Sequence, residues 1–542
     1  MEGIHAINNS VCGENHWQSD GPTYGVCIGI AFSPRAATML SDTLVASRYR
    51  EWSRAPPQTH SPGLRPIHRE WSAEFDLSDR TLNRSLAFGA STSSAQRLAR
   101  FVHRVRRGQR TWVAVLGASV TYGHGIEERP PQNYTWPSQL ERALRFVFGS
   151  SAVRVHNAAM PSTTAAFAAM CIDTLVPMHA DLIAIEYSFT TFGSGQLHSL
   201  IEQATARGVA VLLVDFSQVI NIRTWRGCRM GNLAFAPVHD LCIQNRCSSR
   251  PCNVPNLLLT NSHMRHRDML AASGLPVISN LPFATEEMPT LELGGPQDLR
   301  RFIARDGTHL SSMGHWLYAR FVMHAVWTSG WTGSTRRSSA AATAEEQIRP
   351  SSAPSSVCTF GPSLESLLVR DDSARPEPGW KYVVEMRDKP GLVCLKAGEA
   401  MELQLAVPKV HGNAMILHLL YLKSYEHMGQ ARFECRGGCT CATFTIDAHN
   451  FDQRDSLETP SPPIEVHFDA GGGRPQLLRS CRLHGRTLTD TSSGEHKFKV
   501  TAVVVAPLAL VKTLESGIKD VARFVDYSSK QDFAHAASLA GV

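Results

Sequence analysis

The sequence predicts an α/β domain built on a parallel sheet, followed by an all-β sandwich domain. Three observations carry this prediction. Between residues 111 and 328, short apolar segments alternate with amphipathic segments of helical length. Residues 329–357 are rich in serine, alanine and proline, and the segments beyond them have the pattern of strands. Strands that alternate with helices indicate a parallel sheet, whereas a series of strands without helices indicates a sandwich.

The elements of the α/β domain follow in order along the chain. WVAVLG is a short apolar strand, and WPSQLERALRFVFG is an amphipathic helix with Pro137 in its first turn and Gly149 after its end. ADLIAIEYS and VAVLLVDFS are continuous apolar runs, which are typical of strands buried on both faces. Residues 67–110 are predicted to be helical and basic. The predicted strands are 112–117, 153–157, 180–188, 209–217 and 275–279, and the predicted helices are 136–149, 163–176, 195–208 and 311–327.

The C-terminal part of the chain consists of strand-like segments, namely YVVEM, MELQLAV, MILHLLYL, CATFTI, IEVHF and KFKVTAVVV. Helical periodicity returns only in LVKTLESGIKDVARFV. We expect the linker to hold this sandwich apart from the first domain. The predicted organisation is a poorly ordered segment over 1–66, the α/β domain over 67–328, the linker over 329–357, the sandwich over 358–508, and a helix and tail over 509–542.

The composition excludes several classes of function. The 542 residues are enough for two or three domains, and 43% hydrophobic with 19% charged residues is typical of a globular protein. The net charge of +6 comes from scattered arginines, so we predict no nucleic-acid partner. No apolar run approaches the roughly 20 residues of a membrane span. YGVCIGIAF resembles a signal-peptide core but starts late and lacks a basic flank, so the compartment stays unassigned, with a secretory or extracellular location favoured.

Eight of the thirteen cysteines fall into two groups. Thirteen is an odd number, so at least one is unpaired within the chain. Clustered cysteines indicate either disulfides or a metal site. The repeated Cys-x₄-Cys spacing of the insert is only a marginal match to the Cys pairs of zinc sites, so disulfides are favoured in both groups, with zinc as the alternative. We predict no metal and no cofactor, and a lid or specificity loop in the insert at 223–270. The two groups are Cys228, Cys242, Cys247 and Cys252, and Cys435, Cys439, Cys441 and Cys481.

A serine at the end of the first strand and a histidine in a late loop are candidate catalytic residues. Ser119 follows the first strand directly, and ligands bind beyond the carboxyl ends of such strands. A serine nucleophile needs a base, and the base needs an orienting acid. Asp306 and His309 in DGTHLSSMGH supply both from one loop. The alternative is that Ser119 is a small turn residue, that Asp306 or Thr308 caps a helix, and that His309 is a surface residue.

Other polar residues near these segments have structural interpretations beside the functional ones. Adjacent loop acids are usually solvated, histidines near a site can be structural, and acids that end apolar strands can face a crevice or cap loops. The candidates are Glu127, Glu128, His124, His156, Glu186 and Asp215.

Four segments, taken together, resemble the GDSL/SGNH hydrolase family. GASVTYGHG resembles its first block, with alanine where many members have aspartate, and VRVHNAAMPSTT is similar to the second. ADLIAIEYSFTT resembles the third block, which usually ends in Asn-Asp, and DGTHLSSMGH resembles the fifth. The blocks follow the family's order over residues 112–327.

The resemblance implies a flavodoxin-like α/β/α fold and a serine esterase or acyltransferase. In this interpretation Ser119 attacks the ester carbonyl, His309 takes its proton, and Asp306 holds the imidazole. The oxyanion hole would consist of the N–H groups of Ser119 and Ala159 and a side chain from the third block. In that block Thr190 stands in the asparagine place and Thr191 in the aspartate place.

The segment LLYLKSYEHMGQARFEC resembles part of a β-sandwich domain appended to SGNH-type proteins of plants and algae, which is similar to galactose-binding-like modules. Tyr421, Tyr425 and His427 would then contact sugar, or else pack in the core and form a turn. The predicted function is hydrolysis of an ester, with an O-acetyl group on a carbohydrate as a candidate substrate. The alternatives are a sugar O-acetyltransferase with the same triad, and a carbohydrate-binding protein that has lost catalysis.

Overall fold

The structure is a computed structural model. The residues that it describes are 43–52, 79–187, 194–215, 218–220, 258–260, 269–280, 302, 304, 309–331, 356–369, 379–385, 389–407, 414–451, 456–468 and 481–507. Among them, no helix is long and apolar enough to cross a membrane.

Six of the described strands form one sheet, in the order β1-β8-β5-β4-β2-β3. All neighbouring pairs are parallel except β1, which runs antiparallel to β8. The predicted parallel sheet is therefore confirmed. The strands are β1 (Leu86–Phe88), β2 (Thr111–Gly117), β3 (Val153–Asn157), β4 (Leu182–Glu186), β5 (Ala210–Asp215) and β8 (Val277–Ser279), and a separate pair consists of β6 (Gln218–Ile220) and β7 (Leu258–Thr260).

Helices cover both faces of this sheet. Val113 and Val115 of β2 contact a core that includes α3, α5 and α9, whereas Ala114 and Leu116 face a second core with α6, α7 and α8. This is the three-layer α/β/α arrangement. The helices are α1 (43–52), α2 (Asp79–Ser85), α3 (Thr92–Arg106), α4 (Ser119–Tyr122), α5 (Trp136–Phe148), α6 (Ala165–Met170), α7 (Ile172–Leu175), α8 (Ser194–Ala206) and α9 (Ser312–Ala325).

The structure differs from three sequence expectations in this domain. A three-residue edge strand, β1, interrupts the stretch predicted as helical, because it pairs with β8 and is too short to show a strand period. The predicted helix 163–176 is divided at Cys171, whose ψ of 10° departs from helical geometry. Helix α1 lies in the segment predicted to be poorly ordered, and it buries Val45, Tyr49 and Trp52 at helical spacing. The Tyr49 hydroxyl lies 2.8 Å from His324 Nδ1 of α9.

The second domain is a sandwich of antiparallel sheets, as predicted. Eight described strands belong to the larger sheet and four to the smaller, and their facing sides share one apolar core. The larger sheet contains β9 (Val357–Phe360), β10 (Trp380–Glu385), β11 (Lys389–Cys394), β13 (Ala414–Ser424), β15 (Cys439–Cys441), β17 (Ser456–Pro460), β18 (Ile464–Phe468) and β20 (Phe498–Pro507). The smaller contains β12 (Ala400–Gln404), β14 (Gln430–Arg436), β16 (Phe444–Asp447) and β19 (Arg482–Thr487).

Disulfides join the cysteines predicted to pair in this domain. Cys435 is bonded to Cys441 and Cys439 to Cys481. The other predicted group of cysteines, Cys228, Cys242, Cys247 and Cys252 in the insert at 223–270, lies outside the described residues.

The expectation that the linker holds the two domains apart is wrong. Cys358 of β9 forms a disulfide with Cys171, and the Phe360 ring contacts the Phe167 ring at 6.0 Å between centroids. The outer face of β13 and β20 belongs to the same apolar core as α6, α7 and α8. These two strands are apolar on both faces because each face is covered, one by the smaller sheet and the other by the α/β domain. The outer-face residues are Ile416, Leu420, Ala502, Val504 and Ala506.

Candidate active site

Ser119 is the first residue of helix α4, directly after the turn that ends β2. Gly117 makes this tight turn possible, because a Cβ there would lie 2.6 Å from the Thr121 Cβ and 3.0 Å from the Glu186 carbonyl oxygen. The Ala118 carbonyl accepts the Tyr122 N–H at 2.9 Å, which starts the helix. The Ser119 N–H is one of the amides that the start of a helix leaves without an intrahelical acceptor. It is therefore available for an oxyanion.

His309 meets this serine from the opposite side of the site. Its Nε2 lies 2.9 Å from the Ser119 Oγ, within hydrogen-bond distance. The approach depends on Gly125, which has a φ of +92°. A Cβ there would lie 2.8 Å from the His309 Cβ and 2.6 Å from that of Ala304. The sequence prediction that Ser119 and His309 come together agrees with this geometry, although they are 190 residues apart.

Two predicted site residues, Asp306 and Thr190, lie outside the described residues. Their roles as orienting acid and oxyanion donor stay predictions. Ala159, whose N–H is another predicted oxyanion donor, is buried in the loop after β3, and this N–H donates to Asn157 Oδ1 at 3.2 Å. The Asn157 amide nitrogen in turn donates to the Thr121 carbonyl at 3.0 Å. Asn157 therefore ties the Ala159 loop to helix α4.

A buried acid lies beneath the serine turn. Glu186 ends β4 and is 1% exposed. Thr121 Oγ1 donates to its Oε2 at 2.7 Å, and the Ala118 N–H also donates to this carboxyl group. Burial raises the pKa of Glu186 to about 8, and the nearby carboxyl of Asp215 adds to the increase. The sequence marked Glu186 as an acid at the end of an apolar strand, but it gave no sign that Thr121 would be its partner.

Three of the remaining sequence candidates, His124, Glu128 and Asp215, have contacts in the part of the chain that is described. The His124 ring packs edge-on against the His309 ring at 5.4 Å between centroids. The hydroxyl of Ser312, in the first turn of α9, donates to the Glu128 carboxylate. Asp215 is buried and accepts a hydrogen bond from Ser279 at 3.0 Å. Burial lowers the pKa of His156 on β3.

The residues that the sequence offers for sugar contact have packing or turn contacts in the structure. In the described ranges, no group of three or more His, Cys, Asp or Glu side chains is arranged to hold a metal ion. Tyr421 is buried and stacks on Phe498 at 5.9 Å, which is core packing. His427 has a φ of 64° and contacts Glu495, as expected of a turn residue, while Tyr425 is 37% exposed.

Comparison with known proteins gives structural neighbours only. No protein-family profile and no curated protein matches the chain. A two-domain esterase (CEX) active on acetylated mannans is 16% identical over 79% of this chain and 98% of its own, with a TM-score of 0.47. A variant of an acetyl xylan esterase from Geobacillus stearothermophilus is 14% identical over 40% of this chain and 94% of its own, with a TM-score of 0.27. The CBM36-1 domain of a multidomain xylanase from the hindgut metagenome of Trinervitermes trinervoides is 10% identical over 28% of this chain and 96% of its own, with a TM-score of 0.18. Sequence identities and TM-scores this low do not establish a function, so the function of the chain has to be argued from its own site.

Proposed function

We propose that the protein is a serine ester hydrolase of the SGNH type that works through an acyl-enzyme. The observation that carries this proposal is the 2.9 Å contact between Ser119 Oγ and His309 Nε2 at the carboxyl end of β2. A serine hydroxyl within hydrogen-bond reach of an imidazole is the arrangement that activates a weak nucleophile. The order of the four family-like segments supports the same mechanism.

The reaction has two halves. In the first, His309 Nε2 takes the proton of the Ser119 hydroxyl as Oγ bonds to the ester carbonyl carbon. The tetrahedral intermediate then expels the alcohol oxygen, which receives that proton from the imidazolium, and Ser119 is left acylated. In the second half His309 takes a proton from water as the water oxygen bonds to the acyl carbon. The tetrahedral intermediate then breaks its bond to Ser119 Oγ, which receives the proton from the imidazolium, and the carboxylic acid leaves.

The remaining roles are assigned by the family resemblance. Asp306 would orient the His309 imidazole, and the N–H groups of Ser119 and Ala159 would hold the developing oxyanion. The Ala159 N–H would exchange its 3.2 Å bond to Asn157 for this role. Thr190 would supply the third donor through its hydroxyl, which is shorter than the amide usual at that place. Removing one such donor typically costs about 3–4 kcal/mol, so we expect the group at position 190 to affect the rate strongly.

We propose an O-acetyl group on a carbohydrate as the substrate. The resemblance of the sandwich domain to modules appended to SGNH-type proteins supports this choice. The sandwich packs on the α/β domain through the Cys171–Cys358 disulfide, so both domains act as one body.

The test is acetate release from acetylated mannan, xylan and p-nitrophenyl acetate. We expect the wild-type protein to release acetate, and Ser119→Ala and His309→Ala to release none above background. Ser93→Ala and His198→Ala are matched controls, because both side chains are exposed on helices away from the site. Acetate release that survives Ser119→Ala would overturn the proposal, and acetyl transfer to an added sugar in place of water would identify a transferase.

A further inference from the structure

A continuous series of hydrogen bonds runs beneath Ser119. The Ala118 N–H and the Thr121 hydroxyl both donate to the Glu186 carboxyl, the second at 2.7 Å. These two donors are on either side of Ser119. Glu186 therefore holds the serine turn at Ala118, directly before the nucleophile, and at Thr121, two residues after it.

The series continues to the helix that follows the histidine. Trp136 Nε1 donates to Thr121 Oγ1 at 3.0 Å, and the Trp136 backbone N–H donates to His315 Nδ1 at 3.1 Å. His315 lies on α9, which begins three residues after His309. Burial, with a smaller effect of His309, lowers the pKa of His315 to about 3, so its ring is neutral and its Nδ1 can accept.

Burial makes these bonds effective. The side chains of Trp136, Thr121 and Glu186 are each almost completely shielded from water. In such surroundings water does not compete for the donors, and an unmatched polar group is costly. The series thus fixes the serine turn relative to α9 more firmly than exposed bonds would.

We infer that Glu186 is a positioning residue, which keeps Ser119 in register with His309 by accepting hydrogen bonds from Ala118 and Thr121. This inference rests on the proposed function, because it concerns the same nucleophile. Glu186 does not touch the substrate. Its effect is on the direction of the Ser119 hydroxyl and N–H, and a misplacement of about 1 Å can lower a rate roughly a hundredfold.

The surroundings of Glu186 give the role a pH signature. Among the described residues, the titratable groups that interact with it are Asp215 on β5, Tyr318 on α9 and the adjacent Tyr187. None of them is a cation. When Glu186 ionises, its negative charge lies beneath the serine turn and opposes the negative charge that develops on the oxyanion. Turnover should therefore fall as the pH rises above about 8, the pKa of this carboxyl.

Two pairs of variants test the inference. Glu186→Met removes both acceptors at similar volume, whereas Glu186→Gln keeps a carbonyl oxygen and cannot ionise. Thr121→Val removes the hydroxyl with little change in shape, whereas Thr121→Ser retains it. The readouts are the rate constant for Ser119 labelling by a fluorophosphonate, and kcat and KM for p-nitrophenyl acetate between pH 6 and 9.5.

We expect Glu186→Met and Thr121→Val to lower the labelling rate and kcat roughly a hundredfold with little change in KM. Thr121→Ser should stay within a few-fold of wild type. Glu186→Gln should retain most of the rate at pH 7 and lose the alkaline fall. If Glu186→Met does not fold, the comparison of Thr121→Val with Thr121→Ser tests the inference.

The outcomes separate this inference from the proposed function. If wild-type Ser119 is neither labelled nor required for turnover, the proposed function fails and the inference fails with it. If wild type is labelled, but folded Glu186→Met and Thr121→Val react at the wild-type rate, only the inference is overturned. An alkaline fall that persists in Glu186→Gln also overturns it.

Discussion

Replacing Glu186 by glutamine should change how the stability of the protein depends on pH. The carboxyl has an ordinary pKa of 4.5, and burial raises it to about 8 in the folded protein. Because the folded pKa is the higher one, the unfolded chain binds fewer protons between these values, and stability is lost as the pH rises. At about 1.4 kcal/mol for each pH unit, the loss reaches about 5 kcal/mol above pH 8. An amide at position 186 has no such titration.

The assay is urea unfolding of both proteins at several pH values. Between pH 5 and pH 8 the free energy of unfolding of wild type should fall by about 3 kcal/mol relative to Glu186→Gln. The difference isolates position 186, because every other titrating group is common to both proteins. Parallel stability curves for the two proteins over this range would show that Glu186 is not a neutral buried acid, and the reasoning would be refuted.

Three further changes test the site and the domain contact. Gly125→Ala places a Cβ at 2.8 Å from that of His309, at a φ of +92°, so turnover should fall at least about tenfold while circular dichroism is unchanged. Retained turnover would contradict this. Replacing both Cys171 and Cys358 by serine removes a disulfide that spans 187 residues of sequence, so the free energy of unfolding in urea should fall by about 3–5 kcal/mol. An unchanged unfolding midpoint would show that packing alone joins the domains. Thr190→Asn supplies a longer donor and should raise the acylation rate up to about tenfold by stopped flow, and a slower variant would identify threonine as the adapted donor.

The sequence predicted the features that depend on local pattern. Strands such as β4 and β5 are continuous apolar runs, so their existence and burial follow from the sequence. The helix α5 has its proline and its terminal glycine at the expected ends. The meeting of Ser119 with His309 was predicted from the order of whole segments, since no local signal connects residues so distant.

Features that depend on long-range packing were not predictable. The sequence predicts a sandwich held apart from the first domain, although the apolar residues on both faces of β13 and β20 indicate that each face is covered. Cys171, where the predicted helix is divided, is bonded to Cys358, a partner that a count of cysteines cannot assign. The Thr121 contact with Glu186 joins a turn to the end of another strand, and only the folded chain brings them together.

The most direct test of the account is the covalent labelling of Ser119. Wild-type protein is incubated with a fluorophosphonate, and the modified residue is located by mass spectrometry of its peptides. We predict one label per chain, on Ser119, that is lost in Ser119→Ala and in His309→Ala but not in Ser93→Ala. A label on another serine, or an unmodified Ser119 in folded wild-type protein, would contradict the claim that Ser119 is a nucleophile activated by His309.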